Sequence, residues 1–210
     1  MYSLYTAPGT AGLAVHWLLI ELGQPHELHL LDLEAGDQRK PDYLALNPNG
    51  VVPTLLIDGQ PVYESAALVL HLADAHPEAG LAPPPGSLAR AAYYQWIVLC
   101  ANGLLPAFRA WFHPNEVAGE SCAEASREHA RSRIEAAFAR IDHHLAGQGP
   151  YLLGDTLSAA DFLLTMLMRW SRNMPRPATD WPHLRALAER MKARPSFRTL
   201  YEREGLTEWR

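Results

Sequence analysis

Cysteine is scarce in this chain: Cys100 and Cys122 are its only two among 210 residues. Neither stands in a paired motif, so neither a disulfide framework nor a cysteine metal site is expected, and a reducing, cytoplasmic setting fits. Long apolar runs are missing too. Nothing approaches the roughly 18 consecutive apolar residues of a membrane helix, and no charged leader precedes an apolar core near Met1, so neither a membrane span nor a signal peptide is expected. No basic run occurs. The net charge of -5 and the pI near 6.0 argue against a nucleic-acid partner. Repeats and low-complexity stretches are absent. What is present is an ordinary globular composition, 48% hydrophobic and 20% charged, with enough chain for one large domain or two small ones.

Ten histidines invite a metal reading. His143 and His144 are adjacent and face different directions on a helix. His26 and His29 have no acidic or cysteine partner at ligand spacing, and no pair brackets a glutamate at four-residue helical spacing. No metal is expected.

The first part of the chain reads β-α-β, a loop, then β-β-α. Tyr2–Tyr5 and Glu27–Leu31 alternate as strands. Between them Ala11–Leu22 carries Leu13, Ala14, Trp17, Leu18 and Leu22 at helical spacing, ended by Gly23. Ala35–Leu46 is polar and irregular, with room for one short helix. Thr54–Ile57 is a buried apolar run. Asp58-Gly59 is a two-residue hairpin turn, and Pro61–Tyr63 returns as an edge strand, because proline cannot donate a ladder hydrogen bond. Ser65 is expected to cap a helix to Ala75. Pro77–Ser87, with four prolines and two glycines, is the best boundary. Beyond it the pattern is helical: Arg90–Phe112, bent at Pro106, then Ala123–Leu145, Ala159–Ser171, Trp181–Lys192 and Ser196–Glu204. The expected division is residues 1–77, a linker at 78–87, and an all-helical domain at 88–210.

Three corners of the first part could hold a ligand. In "LYTAPGTAG" (Leu4–Gly12), Thr10 opens a helix. A capping threonine contributes about 1 kcal/mol and needs no ligand. A hydroxyl at a helix N-terminus also suits a thiolate. Lowering a thiol pKa by one unit takes about 1.4 kcal/mol of anion stabilisation, within the roughly 1.5–3 kcal/mol of one charge-assisted hydrogen bond. At Val52-Pro53, a proline opens the strand. If cis, it leaves the Val52 N–H and C=O facing a peptide-like ligand; a trans proline at a strand start is the plain alternative. At Glu64-Ser65, a serine and a helix N-terminus suit a carboxylate and Glu64 suits an ammonium; a capped helix is the plain alternative.

With "LYTAPGT", "NPNGVVPTLLIDGQPVYESAALVLHLAD" and "YLLGDTLSAADFLL" (Tyr151–Leu164) in this order, the chain resembles the cytosolic glutathione transferases over essentially its whole length. The last stretch resembles that family's buried capping box, with Ser158 and Asp161 as partners and Leu157 stapling the helix start. The resemblance implies an α/β plus all-α fold, a thioredoxin-like N-terminal domain followed by an all-helical one, and a homodimer. It implies glutathione as co-substrate: the Val52 backbone beside cis Pro53 on the cysteinyl part, Glu64 and Ser65 on the γ-glutamyl head, Gln38 or Arg39 at the glycyl end, and Thr10 on the sulfur with Tyr5 second. It also implies a hydrophobic electrophile, pocketed between Thr10 and the inner helices, with Asn102, Arg109, Trp111, Phe112, Met166 and Trp170 as wall candidates; the plain alternative for each is core or surface packing. The chain resembles the bacterial beta class but reads Ala11 where that class has its cysteine, and that class's histidine is replaced near Leu105. Cysteine-dependent chemistry is therefore disfavoured. A glutathione-binding protein without catalysis, or a glutathione-dependent isomerase or dehalogenase, are the alternatives.

Overall fold

The computed structural model describes Met1–Trp209. The chain forms two compact units: Met1–Ala82 together with the segment from Lys192 onward, and Pro83–Met191. The break lies inside the proline-rich stretch. The C-terminal helix stands with the first unit, whereas the sequence reading grouped it with residues 88–210.

The first unit is built on a four-stranded mixed sheet ordered β2-β1-β3-β4: β1 Tyr2–Thr6, β2 His26–Leu30, β3 Thr54–Ile57 and β4 Gln60–Tyr63. β1 and β2 run parallel, as the intervening helix α1 (Leu13–Glu21) requires. β3 is antiparallel to both β1 and β4. Asp58 and Gly59 take positive φ in the hairpin turn, and β4 is a fully exposed edge that tolerates Pro61. Helix α2 (Pro41–Leu44) lies in the long loop before β3, and α3 (Ser65–Ala75) follows β4. Leu4 and Leu55 face each other in register, and Leu13, Leu18, Leu68 and Leu72 are all buried. Each such leucine contributes about 2 kcal/mol of transfer free energy.

The C-terminal helix belongs here for visible reasons. In that helix, α10 (Pro195–Arg203), Phe197 packs on Trp17, whose indole N–H donates to Ser196 Oγ at 2.8 Å. Arg194 Nε donates to Glu21 at 3.2 Å.

The second unit comprises α4 (Leu88–Val98), α5 (Leu105–Phe112), α6 (Pro114–Ala118), α7 (Ala123–Gln148), α8 (Ala159–Trp170) and most of α9 (Pro182–Lys192). The expected single helix over Arg90–Phe112 is interrupted by a π-helical turn at Leu99–Leu104. Pro106 has no N–H for the Asn102 carbonyl and its ring crowds that carbonyl, so the chain widens into the π-helical turn there. α8 is buried on all sides from Ala159 to Arg169. Among the described residues no helix is long and apolar enough to cross a membrane.

Candidate functional site

Strand register alone lines up three of the expected corners. Tyr5 pairs with Thr54, and Thr54 pairs with Tyr63. The next residues, Thr6 onward, Pro53 and Glu64, therefore lie side by side at one end of the sheet. Two strand spacings, about 10 Å, separate the first from the third. Three extended residues span about the same distance.

At the first corner, Thr10 does not cap α1. The helix starts at Leu13, its N-cap residue is Gly12, and no side chain caps it. Thr10 Oγ1 instead donates to the Ala7 carbonyl at 2.7 Å, closing a turn, and lies 3.3 Å from the buried Thr6 Oγ1. The Ala11 and Gly12 N–H groups have no hydrogen-bond partner among the described residues. Gly12 is needed here: a Cβ on it would meet Thr6 Oγ1 at 1.9 Å and Pro53 Cβ at 3.2 Å. That contact places the start of α1 directly against the second corner. Tyr5 stacks on His29 with centroids 4.3 Å apart. Strand alternation turns it to the sheet face opposite Thr6.

At the second corner, Val52-Pro53 is cis. The Val52 N–H and C=O make no hydrogen bond among the described residues. The loop leading to them is held from inside. The Val51 carbonyl accepts from Tyr43 Oη at 2.6 Å and from Asn47 Nδ2 at 2.9 Å, and both also reach Thr54 Oγ1. Burial pushes the Tyr43 hydroxyl pKa up, which keeps it a donor. Sequence reading missed this network: "NPNG" looks like a surface turn, and nothing local marks Asn47 as fully buried. Gln38 sits in a 3-10 turn (Asp37–Arg39) beside this loop, since a Cβ on Gly50 would meet Gln38 O at 3.0 Å and Arg39 Nη1 at 2.8 Å. Gln38 Oε1 is buried without a partner.

At the third corner, Glu64 is the N-cap residue of α3 with φ 77° and ψ 105°, and Ser65 is the first helical residue; the sequence reading had Ser65 as the cap. A positive φ at a residue with a side chain costs about 1 kcal/mol or more and persists only where the surroundings enforce it. The first bond of α3 runs from Leu68 N to Glu64 O, so the Ser65, Ala66 and Ala67 N–H groups lack helical acceptors. The exposed Glu64 carboxylate and the hydroxyl of the largely buried Ser65 have no partner among the described residues.

The electrophile candidates all lie in the second unit. Phe108, Phe112 and Trp170 form an aromatic cluster with centroids 5.7–6.0 Å apart, and Phe112 is its exposed end. Trp111 is half-buried under Arg127, and Asn102 is exposed on the π-helical turn. Arg109 is gripped by Glu116 through two 2.7 Å hydrogen bonds. Met166 has no exposed surface and belongs to the core. Cys100 is buried, and burial, with Asp161 nearby, pushes its thiol up to about 12, closing it to thiolate chemistry. Among the described residues no group of three or more His, Cys, Asp or Glu could hold a metal.

Known proteins share this architecture. The model for the N-terminal domain of glutathione S-transferase matches residues 12–75, and that for its C-terminal domain matches residues 124–203. Glutathione S-transferase GST-4.5 of Xanthomonas campestris pv. campestris is 33% identical over 97% of this chain and 98% of its own. The crystal structure of a glutathione transferase from Methylococcus capsulatus aligns with TM-score 0.89 at 32% identity, covering 99% of this chain and 100% of that one. A glutathione transferase homologue from Sulfitobacter with bound glutathione aligns with TM-score 0.90 at 28% identity, covering 99% of each chain. The chain belongs to the glutathione S-transferase family.

Proposed function

We propose that this protein is a cytoplasmic, homodimeric glutathione transferase whose glutathione lies across the sheet end just described. The observation that carries this reading is the set of unpaired polar groups there: the Glu64 carboxylate, the Ser65 hydroxyl, the first N–H groups of α3 and the Val52 backbone. Glu64 takes the ammonium of the γ-glutamyl head. Ser65 and the α3 N-terminus take its carboxylate. The Val52 N–H and C=O pair with the cysteinyl residue, and Gln38 or Arg39 meets the glycyl end.

The sulfur then falls beside Thr10. Its hydroxyl proton must leave the Ala7 carbonyl to reach a thiolate, so the open Ala11 and Gly12 N–H groups share the charge with it. Tyr5 ranks behind both, because it is stacked on the other face. The thiolate forms a carbon–sulfur bond to the electrophile. The electrons of the broken bond leave with the leaving group. Proximity and thiolate fraction supply the rate, and no metal or second cofactor takes part. Within the second unit, Asn102, Trp111, Phe112 and Trp170 are the residues proposed to meet a hydrophobic electrophile. Arg109 is engaged by Glu116 and Met166 is buried, so neither is assigned to it.

The commitment of the Thr10 proton favours one rival: a protein that binds glutathione but transfers it weakly. Conjugation of glutathione to a chromogenic aryl halide, wild type beside Thr10→Ala, separates the two. We expect a clear wild-type rate that falls about ten- to hundred-fold in the variant. A rate that survives assigns the sulfur to the backbone N–H groups. No wild-type rate, with glutathione still bound, establishes the rival.

A further inference from the structure

The turn that presents Thr10 is held from the far end of the chain. Glu204, the C-cap residue of α10, is buried, and its carboxylate has two partners. Oε2 accepts from the Gly9 N–H at 2.8 Å. Oε1 meets His16 Nδ1 at 2.8 Å, with neither side chain exposed. Gly9 precedes Thr10 in the turn, and His16 lies on the second turn of α1. One carboxylate thus ties down the chain on both sides of Thr10. His16 Nε2 is buried with no partner, and its ring meets His26 edge-on at 5.3 Å. Arg203 Nη1 faces His26 Nε2 at 3.2 Å.

Charge stabilisation of a thiolate cannot be the reason for this arrangement. A carboxylate near a thiolate opposes it, and burying one is costly unless it is paired and hydrogen-bonded. Glu204 is not the only tie of α10 either, because the helix is also fastened to α1 through Trp17, Ser196 and Arg194. What Glu204 adds is a fixed geometry for Gly9 and hence for Thr10, Ala11 and Gly12, the groups assigned to the sulfur.

We propose that Glu204 is a positioning residue for glutathione activation, clamping the Gly9 N–H so that Thr10 and the neighbouring N–H groups meet the sulfur. This rests on the transferase reading above. The clamp works through the hydrogen bond to Gly9, so an uncharged acceptor of the same length should replace it.

The test compares wild type, Glu204→Ala and Glu204→Gln, reading the thiol pKa of bound glutathione by ultraviolet difference titration and separating kcat from the KM for glutathione. In Glu204→Ala, kcat should fall about ten- to hundred-fold and the bound thiol pKa should rise, with KM changed less than about three-fold. Glu204→Gln should restore both, and removal of the negative charge should leave its thiol pKa at or below the wild-type value. A folded Glu204→Ala with wild-type kcat and thiol pKa would overturn the proposal; so would a Glu204→Gln as impaired as Glu204→Ala. Should Glu204→Ala not fold, Glu204→Asp, one methylene shorter, carries the same test: an unchanged kcat overturns the clamp, and a lowered kcat at unchanged KM supports it. A wild type that binds glutathione without forming thiolate overturns the transferase reading itself, and the clamp with it.

Discussion

Two helix N-termini of this protein treat their polar groups in opposite ways. At α8 the capping side chains answer one another and the neighbouring backbone. Asp161 Oδ1 accepts from Leu152 N at 2.9 Å, and Oδ2 accepts from Ser158 N at 2.9 Å and Ser158 Oγ at 3.0 Å, all buried. At α3 nothing is answered. Glu64 is held at a positive φ, its carboxylate and the Ser65 hydroxyl have no partner among the described residues, and the first N–H groups are open. The two sequences look alike, a serine near the start of an apolar helix in each. The difference separates a terminus built to hold the fold from one built to hold a ligand.

The closed terminus should give the largest effect. Asp161→Ala leaves the buried Leu152 and Ser158 N–H groups without acceptors, which should cost about 3–5 kcal/mol of stability. Urea unfolding checks this, and glutathione affinity of the folded fraction should not move. The same residue gives a pH signature. Burial raises the Asp161 carboxyl from 3.8 to about 6, although the Leu152 and Ser158 hydrogen bonds pull it down. Its folded value thus lies above its unfolded one. The stability linked to that shift is present below the unfolded value and lost as pH rises through the folded value. Relative to Asp161→Asn, the wild type should therefore lose urea midpoint between about pH 4 and pH 7. A wild type that gains over that range would mean the hydrogen bonds outweigh burial.

The open terminus should respond with the opposite sign. Glu64→Gly relieves the positive φ, so stability should rise by about 1 kcal/mol while glutathione affinity falls at least about ten-fold. Thermal unfolding and calorimetric titration read the two effects on one variant. If stability and affinity fell together, Glu64 would be an ordinary part of the fold.

Legibility followed the range of the interactions. The β-α-β and β-β-α order, the Asp58-Gly59 turn and the Ser158–Asp161 box are local and were readable as patterns. The start of α1 was misplaced by two residues because Thr10 spends its hydroxyl on Ala7, a choice that no spacing reveals. The π-helical turn interrupts the single expected helix because Pro106 acts on the turn before it. Gly9 and Glu204 are 195 residues apart, and Tyr43, Asn47, Val51 and Thr54, though near in sequence, meet through side chains around a loop that has no periodicity to read. Neither network leaves a local signal. The exposed polar corners were legible as residue types, but the fact that they are unpaired is a property of the fold.

The most direct test of the central claim, that the open groups at α3 are the glutathione receptor, is calorimetric titration of glutathione into wild type and Ser65→Ala. The Ser65 hydroxyl makes no hydrogen bond among the described residues, so the variant should fold with unchanged stability and bind glutathione about ten-fold or more weakly. Equal affinity in the two proteins would contradict it.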